Sequence, residues 1–279
     1  MNVALAGCGW LGARVGEVLA ARGDRVFGIR RDPQSAAALA GLGIEPWPLD
    51  LSAPGAAAHL PGDLDAIVAS QAATGSDAAA YRRAYVEINR ALVAEAARRG
   101  VSRYVYTGST GVFGQSAGEM VDEDTEPVPG DEHGAILLEA EAVVRERGMV
   151  VRLSGLYGPE RWGAVERVRS GMLALGAGDD AWMNWCRRED AAAYVVAALD
   201  RGRPGAVYHG SDAAPVRRAE FVRWVAGRLG IAPPSTTTAP PPGRPNRRVL
   251  AQRTRDDLGV ALRYPTYREG FAEAFDANA

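Results

Sequence analysis

The start of the chain constrains it most. There the apolar run Val3-Ala4-Leu5-Ala6 leads straight into Gly7-Cys8-Gly9-Trp10-Leu11-Gly12. Leu11, Val15, Val18 and Leu19 follow at helical spacing, so the stretch reads as strand, glycine turn, helix. In such a turn Gly7 permits the sharp reversal, Gly9 lets the backbone approach a pyrophosphate, and Gly12 lets helix and strand pack closely. The free N–H groups and positive dipole end of the helix face the phosphates, with Trp10 and Leu11 on the same cradle. The pattern predicts a bound dinucleotide. The alternative is an ordinary glycine-rich turn.

Strands and helices keep alternating. Gly23 closes the first helix, and Arg25 to Arg30 reads as the second strand. In NAD-binding folds an Asp or Glu about 20 residues past the glycines takes the ribose 2′-OH. Here Arg30 and Arg31 stand in that place. A carboxylate would repel a 2′-phosphate, whereas a guanidinium binds it through two parallel hydrogen bonds. NADP is therefore favoured, with NAD the alternative; the competing reading makes both arginines a solvated strand end. Asp32-Pro33 opens a short Ala-rich helix as N-cap and first helical residue. A third strand is expected over 44–49, followed by Asp50 and Leu51, where Asp50 either accepts from the adenine amino group or caps the next turn. A fourth strand over 65–70 ends at Ser70. Gln71, Ala72 and Ala73 after it let backbone approach the cofactor.

A long helix is expected over 77–99, with Tyr81, Tyr85, Ile88, Leu92, Val93 and Ala96 on its apolar stripe and Gly100 as its stop. A fifth strand over 103–107 and a sixth over 149–153 follow. Later come a buried helix over 191–199, a strand over 206–209, a helix through Phe221, Val225 and Leu229, and a last helix near 267–275. Alternation at this spacing predicts an α/β fold, a Rossmann-type doubly wound parallel sheet with ligand at the carboxyl ends of its strands. The expected division is a core of residues 1–153, completed by about 182–210, and a small C-terminal substrate lobe of 154–181 and 211–279. The Pro- and Thr-rich stretch 232–247 can be neither helix nor central strand and reads as an extended loop over that lobe.

At 279 residues, 47% hydrophobic and 24% charged, the chain can bury a sizeable core. A net charge of −2 gives no pull toward nucleic acid or an anionic membrane. No apolar run reaches a bilayer span and the N-terminus enters a strand at once, which predicts a cytoplasmic protein. Its two cysteines, Cys8 and Cys186, then read as reduced thiols. His59, His133 and His209 are scattered without metal-ligand spacing, so no metal is expected. The acidic run between Glu119 and Glu126 reads as a solvated loop.

By the fifth strand the chain resembles the extended short-chain dehydrogenase/reductase superfamily of epimerases and dehydratases. The segment from Asn89 to Tyr106 resembles that family's central helix and following strand, and Thr107-Gly-Ser-Thr-Gly-Val-Phe-Gly114 its serine motif. Arg152-Leu-Ser-Gly-Leu-Tyr-Gly-Pro159 is similar to its post-strand turn, and Asn184 to Asp190 to its second-domain signature. Asn246-Arg-Arg-Val to Gly259 and Tyr264 to Gly270 are similar to an atypical branch of uncharacterised NAD(P)-binding proteins.

The resemblance implies a reaction at a hydroxyl- or carbonyl-bearing carbon of a sugar nucleotide or similar polar metabolite. It also implies a homodimer through the helices flanking the central strands, and cofactor contacts from Ser154 and Gly155. The family's chemistry uses a Ser or Thr, a Tyr and a Lys four residues after it. Ser109 matches the serine. Aligned on Leu138-Glu-Ala-Glu141, His133 falls at the tyrosine position and Leu137 at the lysine position, and neither matches. Three readings of His133 stand: a surrogate acid or base, since imidazole titrates near neutrality; a helix-start residue without a role; or catalysis supplied from elsewhere. Tyr157 is expected at the nicotinamide end or packed under its turn. Arg161 is expected on a substrate anion or on a solvated helix face. Two functional readings follow: an NADP-preferring oxidoreductase or epimerase with Ser109 and His133 as its catalytic pair, or a cofactor-binding sensor or scaffold that has lost the reaction.

Overall fold

The computed structural model describes residues 1–176, 180–238 and 244–276. Seven parallel strands form its central sheet: β1 (Asn2–Ala6), β2 (Arg25–Arg30), β3 (Glu45–Pro48), β4 (Ala66–Ala69), β5 (Arg103–Ser109), β6 (Met149–Leu153) and β7 (Val207–Gly210). Their spatial order is β7-β6-β5-β4-β1-β2-β3. The order reverses between β1 and β4, where a doubly wound sheet opens its ligand crevice. β1 lies between β2, with Val3 opposite Val26, and β4, with Val3 opposite Ala66. Both its faces are covered, which is why its sequence is an unbroken apolar run.

Alternate strand residues point to opposite faces, and the core divides accordingly. Val3, Leu5, Val68 and Val151 pack with Val15 and Leu19 of α1 (Trp10–Ala21). Ala4, Ile67, Tyr104 and Val150 pack with Leu92 and Ala96 of α2 (Ile88–Arg99) and with Ile136 and Ala140 of α3 (Glu132–Arg145). α4 (Arg188–Arg201) covers the same face as α1 with Tyr194, Val195 and Leu199. A separate core joins Tyr157, Val165 and Val168 to Phe221 and Val225 of α5 (Arg218–Leu229) and to Tyr267 and Phe271. This small lobe is built from chain on both sides of β7.

Two expected ends form: Asp32 accepts from the Ser35 N–H at 2.7 Å, and Gly100 ends α2. Asp77 also caps, accepting from the Ala80 N–H at 2.8 Å. Four expectations change. β5 runs on to Ser109, because its pairing with β6 continues to Ser109 opposite Leu153. The long helix is interrupted: a π-helical turn over Arg82–Glu87 separates Ala78–Tyr81 from α2. The chain end holds two short helices, Tyr267–Gly270 and Glu273–Asp276. The acidic stretch is partly a strand, Glu119–Val121, pairing with Arg247–Val249 at the end of the Pro-rich segment. Ser235–Thr236 of that segment pairs with Leu175–Gly176, and its residues 239–243 lie outside those described. Among the described residues no helix is long and apolar enough to cross a membrane. Cys8 and Cys186 are buried free thiols.

Candidate active site

A single cleft of about 1260 Å³ runs along the carboxyl ends of the strands, from Arg31 and Asp50 past the glycine turn to Ser109, Ser154 and Arg247. Its floor is the turn after β1. Gly7 has φ +75°, and a Cβ there would lie 2.3 Å from the Gln71 Cα, so only glycine fits. A Cβ on Gly12 would meet the Ser70 Oγ at 2.8 Å and the Gly7 carbonyl at 3.0 Å, which makes Gly12 a packing residue and keeps it off the cleft wall. Gly9 differs: a Cβ there would have only the Gly7 oxygen within 4 Å, at 3.9 Å. The space beside it is the cleft, next to the free N–H groups at the start of α1. Those features fit a dinucleotide pyrophosphate. Ser70 donates to the Gly7 carbonyl at 3.0 Å and so holds the turn, Gln71 donates to the Ala84 carbonyl at 3.1 Å, and both line the cleft with Ala72. Burial pushes the Cys8 thiol up to about 12, so it is inert here.

At the far end of β2 the two arginines part company. Arg30 donates to the Cys8 carbonyl at 2.5 Å and the Ser35 carbonyl at 2.8 Å, bracing the glycine turn to the next helix. Both line the cleft, and Arg31 is the exposed one, with its side chain the more open to a ligand. Asp50 accepts from the Ser52 N–H at 3.0 Å and hydroxyl at 2.7 Å, and these bonds hold its carboxyl below the usual range. It is the cap of its turn, with Leu51 beside it in the cleft.

Ser109 stands at the end of β5 and lines the cleft; its Oγ accepts from the Gly111 N–H at 3.0 Å. With that lone pair occupied, its own O–H is left to donate outward. His133 is not among the cleft-lining residues. Its Nε2 lies 2.9 Å from the Ser76 carbonyl, and its ring centroid lies 4.2 Å from that of Tyr81 with the planes tilted by 49°. Of the three readings of His133, this placement favours the helix-start residue: the imidazole bonds the Ser76 carbonyl, and Tyr81 lines the cleft where His133 does not. Leu137, one turn on, does face the cleft but carries no proton. No lysine occurs anywhere in the 279 residues, all 32 Lys+Arg positions being arginine, so the family's lysine has no substitute of its own kind.

Tyr157 is corrected. It is 1% exposed, stacked on Phe271 with centroids 3.9 Å apart, and lies in the lobe core; the packing alternative describes it. Arg161 does line the cleft, but on the glycine-turn side, its guanidinium 4.4 Å over the Trp10 ring. Trp10 in turn donates to the Pro159 carbonyl at 2.9 Å, tying the glycine turn to the turn after β6. Leu11, Gly155 and Ser154 line the cleft as well. Arg247 was missed by sequence reasoning. It reaches the same cleft and donates to the Thr110 carbonyl at 2.7 Å, 137 positions back along the chain. Tyr104 and His209 are buried core residues. The Tyr104 hydroxyl donates to Asn89 at 2.6 Å, and the His209 Nδ1 lies 3.0 Å from the Leu250 carbonyl.

Comparison with known proteins agrees with this architecture. Residues 4–209 match the model of the NAD dependent epimerase/dehydratase family. The chain belongs to that family. Over 274 residues it is 27% identical to Protein YeeZ of Escherichia coli K12, covering 95% of this chain and 96% of that protein. Among solved structures it is similar to a candidate NAD-dependent epimerase/dehydratase from Methylobacillus flagellatus, at 30% identity and a TM-score of 0.80, covering 99% and 98% of the two chains. A UDP-glucuronic acid 4-epimerase from Bacillus cereus in complex with NAD shares the fold, with a TM-score of 0.80 at 16% identity over 99% and 98% of the chains.

Proposed function

We propose that this family member is an NAD(P)-dependent oxidoreductase or epimerase, preferring NADP, that acts on a sugar nucleotide or a similar polar hydroxyl- or carbonyl-bearing metabolite. The observation that carries the reading is the continuity of the cleft: the glycine turn and the free O–H of Ser109 open into one space. Gly7, Gly9, Trp10 and Leu11 would hold the cofactor pyrophosphate, Ser70, Gln71, Ala72, Ser154 and Gly155 the middle of the cofactor, and Arg31 the 2′-phosphate. When bound, the cofactor supplies reversible hydride transfer.

The protein's share is orientation and proton handling. Ser109 donates to the reacting oxygen, a bond that strengthens as charge develops there. Leu137 supplies an apolar wall to the same cleft. Without the Tyr–Lys pair, the proton moves through groups carried by the substrate or through the hydroxyl of Tyr81 or Tyr85, both of which line the cleft. The acid–base contribution such a pair makes is typically 10²–10⁴-fold, so a slow enzyme is expected.

The position of His133 on the Ser76 carbonyl favours a second reading, a cofactor-binding sensor or scaffold without turnover. Stopped-flow measurement of NADPH absorbance with carbonyl and sugar-nucleotide substrates separates the two. Loss of absorbance that disappears in Ser109→Ala supports the enzyme; tight cofactor binding with no turnover on any of them supports the sensor.

A further inference from the structure

Arg247 is an uncompensated cation at the serine end of the cleft. Its terminal nitrogen donates to the Thr110 carbonyl at 2.7 Å, while its Nε is buried without any hydrogen-bond partner. No carboxylate pairs with it among the described residues, and burial alone pushes its pKa down. A guanidinium stays protonated in proteins, and a desolvated charge without a counter-ion is costly. In the lining of the same cleft, the Ser154 Oγ is buried and also without a partner, in a residue only 4% exposed.

Hydrogen bonds link the backbone segments that carry these two residues. Asn184 uses both ends of its amide on the Arg247 strand, donating to the Arg247 carbonyl at 2.9 Å and accepting from the Val249 N–H at 2.7 Å. Its own carbonyl accepts from the Gly155 N–H at 3.0 Å, next to Ser154. Thr110 closes the ring, bonded to Arg247 through its carbonyl and to the Leu153 carbonyl through its hydroxyl at 3.5 Å. A clasp needed only to fix the strand would be served by the Asn184 bonds; it would not require a buried charge.

We propose that Arg247 and Ser154 form an oxyanion site for the substrate itself, so that the metabolite carries a carboxylate or phosphate group close to the carbon that faces Ser109. A planar or tetrahedral oxyanion can take the Nε–H and a terminal N–H of one guanidinium together, with the Ser154 hydroxyl as third donor. The proposal rests on the oxidoreductase reading and narrows its substrate to anionic metabolites with the charge near the reacting carbon.

The test is thermal unfolding of the protein saturated with NADP⁺ and titrated with sodium acetate or inorganic phosphate, against sodium chloride at matched ionic strength. Cofactor binding is first followed by tryptophan fluorescence, so its failure is seen separately and counts against the oxidoreductase reading alone. The titration then proceeds on the free protein, where the variants still isolate this site. Saturable stabilisation by acetate or by phosphate is expected, and which of the two acts identifies the group as carboxylate or phosphate. Arg247→Gln raises the half-saturating concentration about tenfold, a loss of about 1.4 kcal/mol. Arg247→Lys, which keeps the charge and loses the fork, falls between, and Arg248→Gln leaves it unchanged. Without added anion, Arg247→Gln melts no lower than the parent protein, since it removes an unpaired charge. Stabilisation by neither anion, equal stabilisation in Arg247→Gln, or a lower melting temperature of Arg247→Gln without anion would overturn the proposal.

Discussion

At the scale of single residues, the two arginines after β2 show what a sequence can and cannot say. Their place relative to the glycines was legible, but their division of labour was not. Arg30 is spent on the Cys8 and Ser35 carbonyls, a contact between segments that no local pattern encodes. Arg31→Ala should therefore weaken NADPH binding by about tenfold, the worth of a charge-assisted contact to phosphate, and leave NADH binding within about twofold. Equilibrium titration of the purified variant with each nucleotide checks this. Arg30→Ala should weaken both nucleotides together, because it loosens the turn. His133 and Ser109 make the second contrast. Ser109→Ala should cut turnover by about 10²-fold or more, as loss of a donor to a developing charge does. His133→Ala should keep turnover and lose only stability, by about 1 kcal/mol for its hydrogen bond, measured by urea unfolding. Ser109 was legible because its motif is local. Arg247 was not, since its partner Thr110 is brought to it by the fold.

At the scale of elements, the strand–turn–helix start was read correctly because its signals are all local: an apolar run, three glycines and an amphipathic repeat. The glycines nonetheless do different work, and this can be measured. Gly9→Ala puts its methyl group into the open cleft and should leave the folded state intact while raising the NADPH dissociation constant by about tenfold or more. Gly7→Ala drives a Cβ to within 2.3 Å of the Gln71 backbone at a positive φ, so it should destabilise the protein by several kcal/mol or about that much. Circular dichroism melts beside cofactor titrations separate the two outcomes. Strand ends were less legible. The fifth strand was expected over 103–107, yet its pairing with β6 carries it through Gly108 to Ser109. The π-helical turn at Arg82–Glu87 has no sequence signature in its neighbourhood, and it sets Tyr81 and Tyr85 along the cleft.

At the scale of the whole molecule, the parallel sheet followed from the alternation of elements, whereas the small lobe is assembled from segments on both sides of β7 and needed the structure. Asp212 lies between sheet and lobe and is 3% exposed. One carboxyl oxygen has no partner and the other accepts only a long bond, 3.4 Å, from the Ala214 N–H. Burial pushes its pKa up to about 8. The folded state then holds this proton where the unfolded chain, near pH 4, has released it. Its contribution to stability is full below about pH 4 and is lost as pH rises to about 8, by up to about 1.4 kcal/mol per unit. Asp212→Asn should flatten this slope, raising the urea midpoint at pH 8 relative to the parent and changing it little at pH 4. A parallel pair of profiles would mean that the carboxyl is ionised in the fold.

The central claim, a cleft built for a phosphorylated dinucleotide, is met most directly by titrating the protein with NADPH and with NADH while following energy transfer from its tryptophans to the reduced nicotinamide. Trp10 stands in the glycine turn and reports occupancy there. Saturable binding of both nucleotides, with NADPH tighter by about tenfold, is the result predicted. Binding of neither would contradict it, leaving the glycine turn as packing alone.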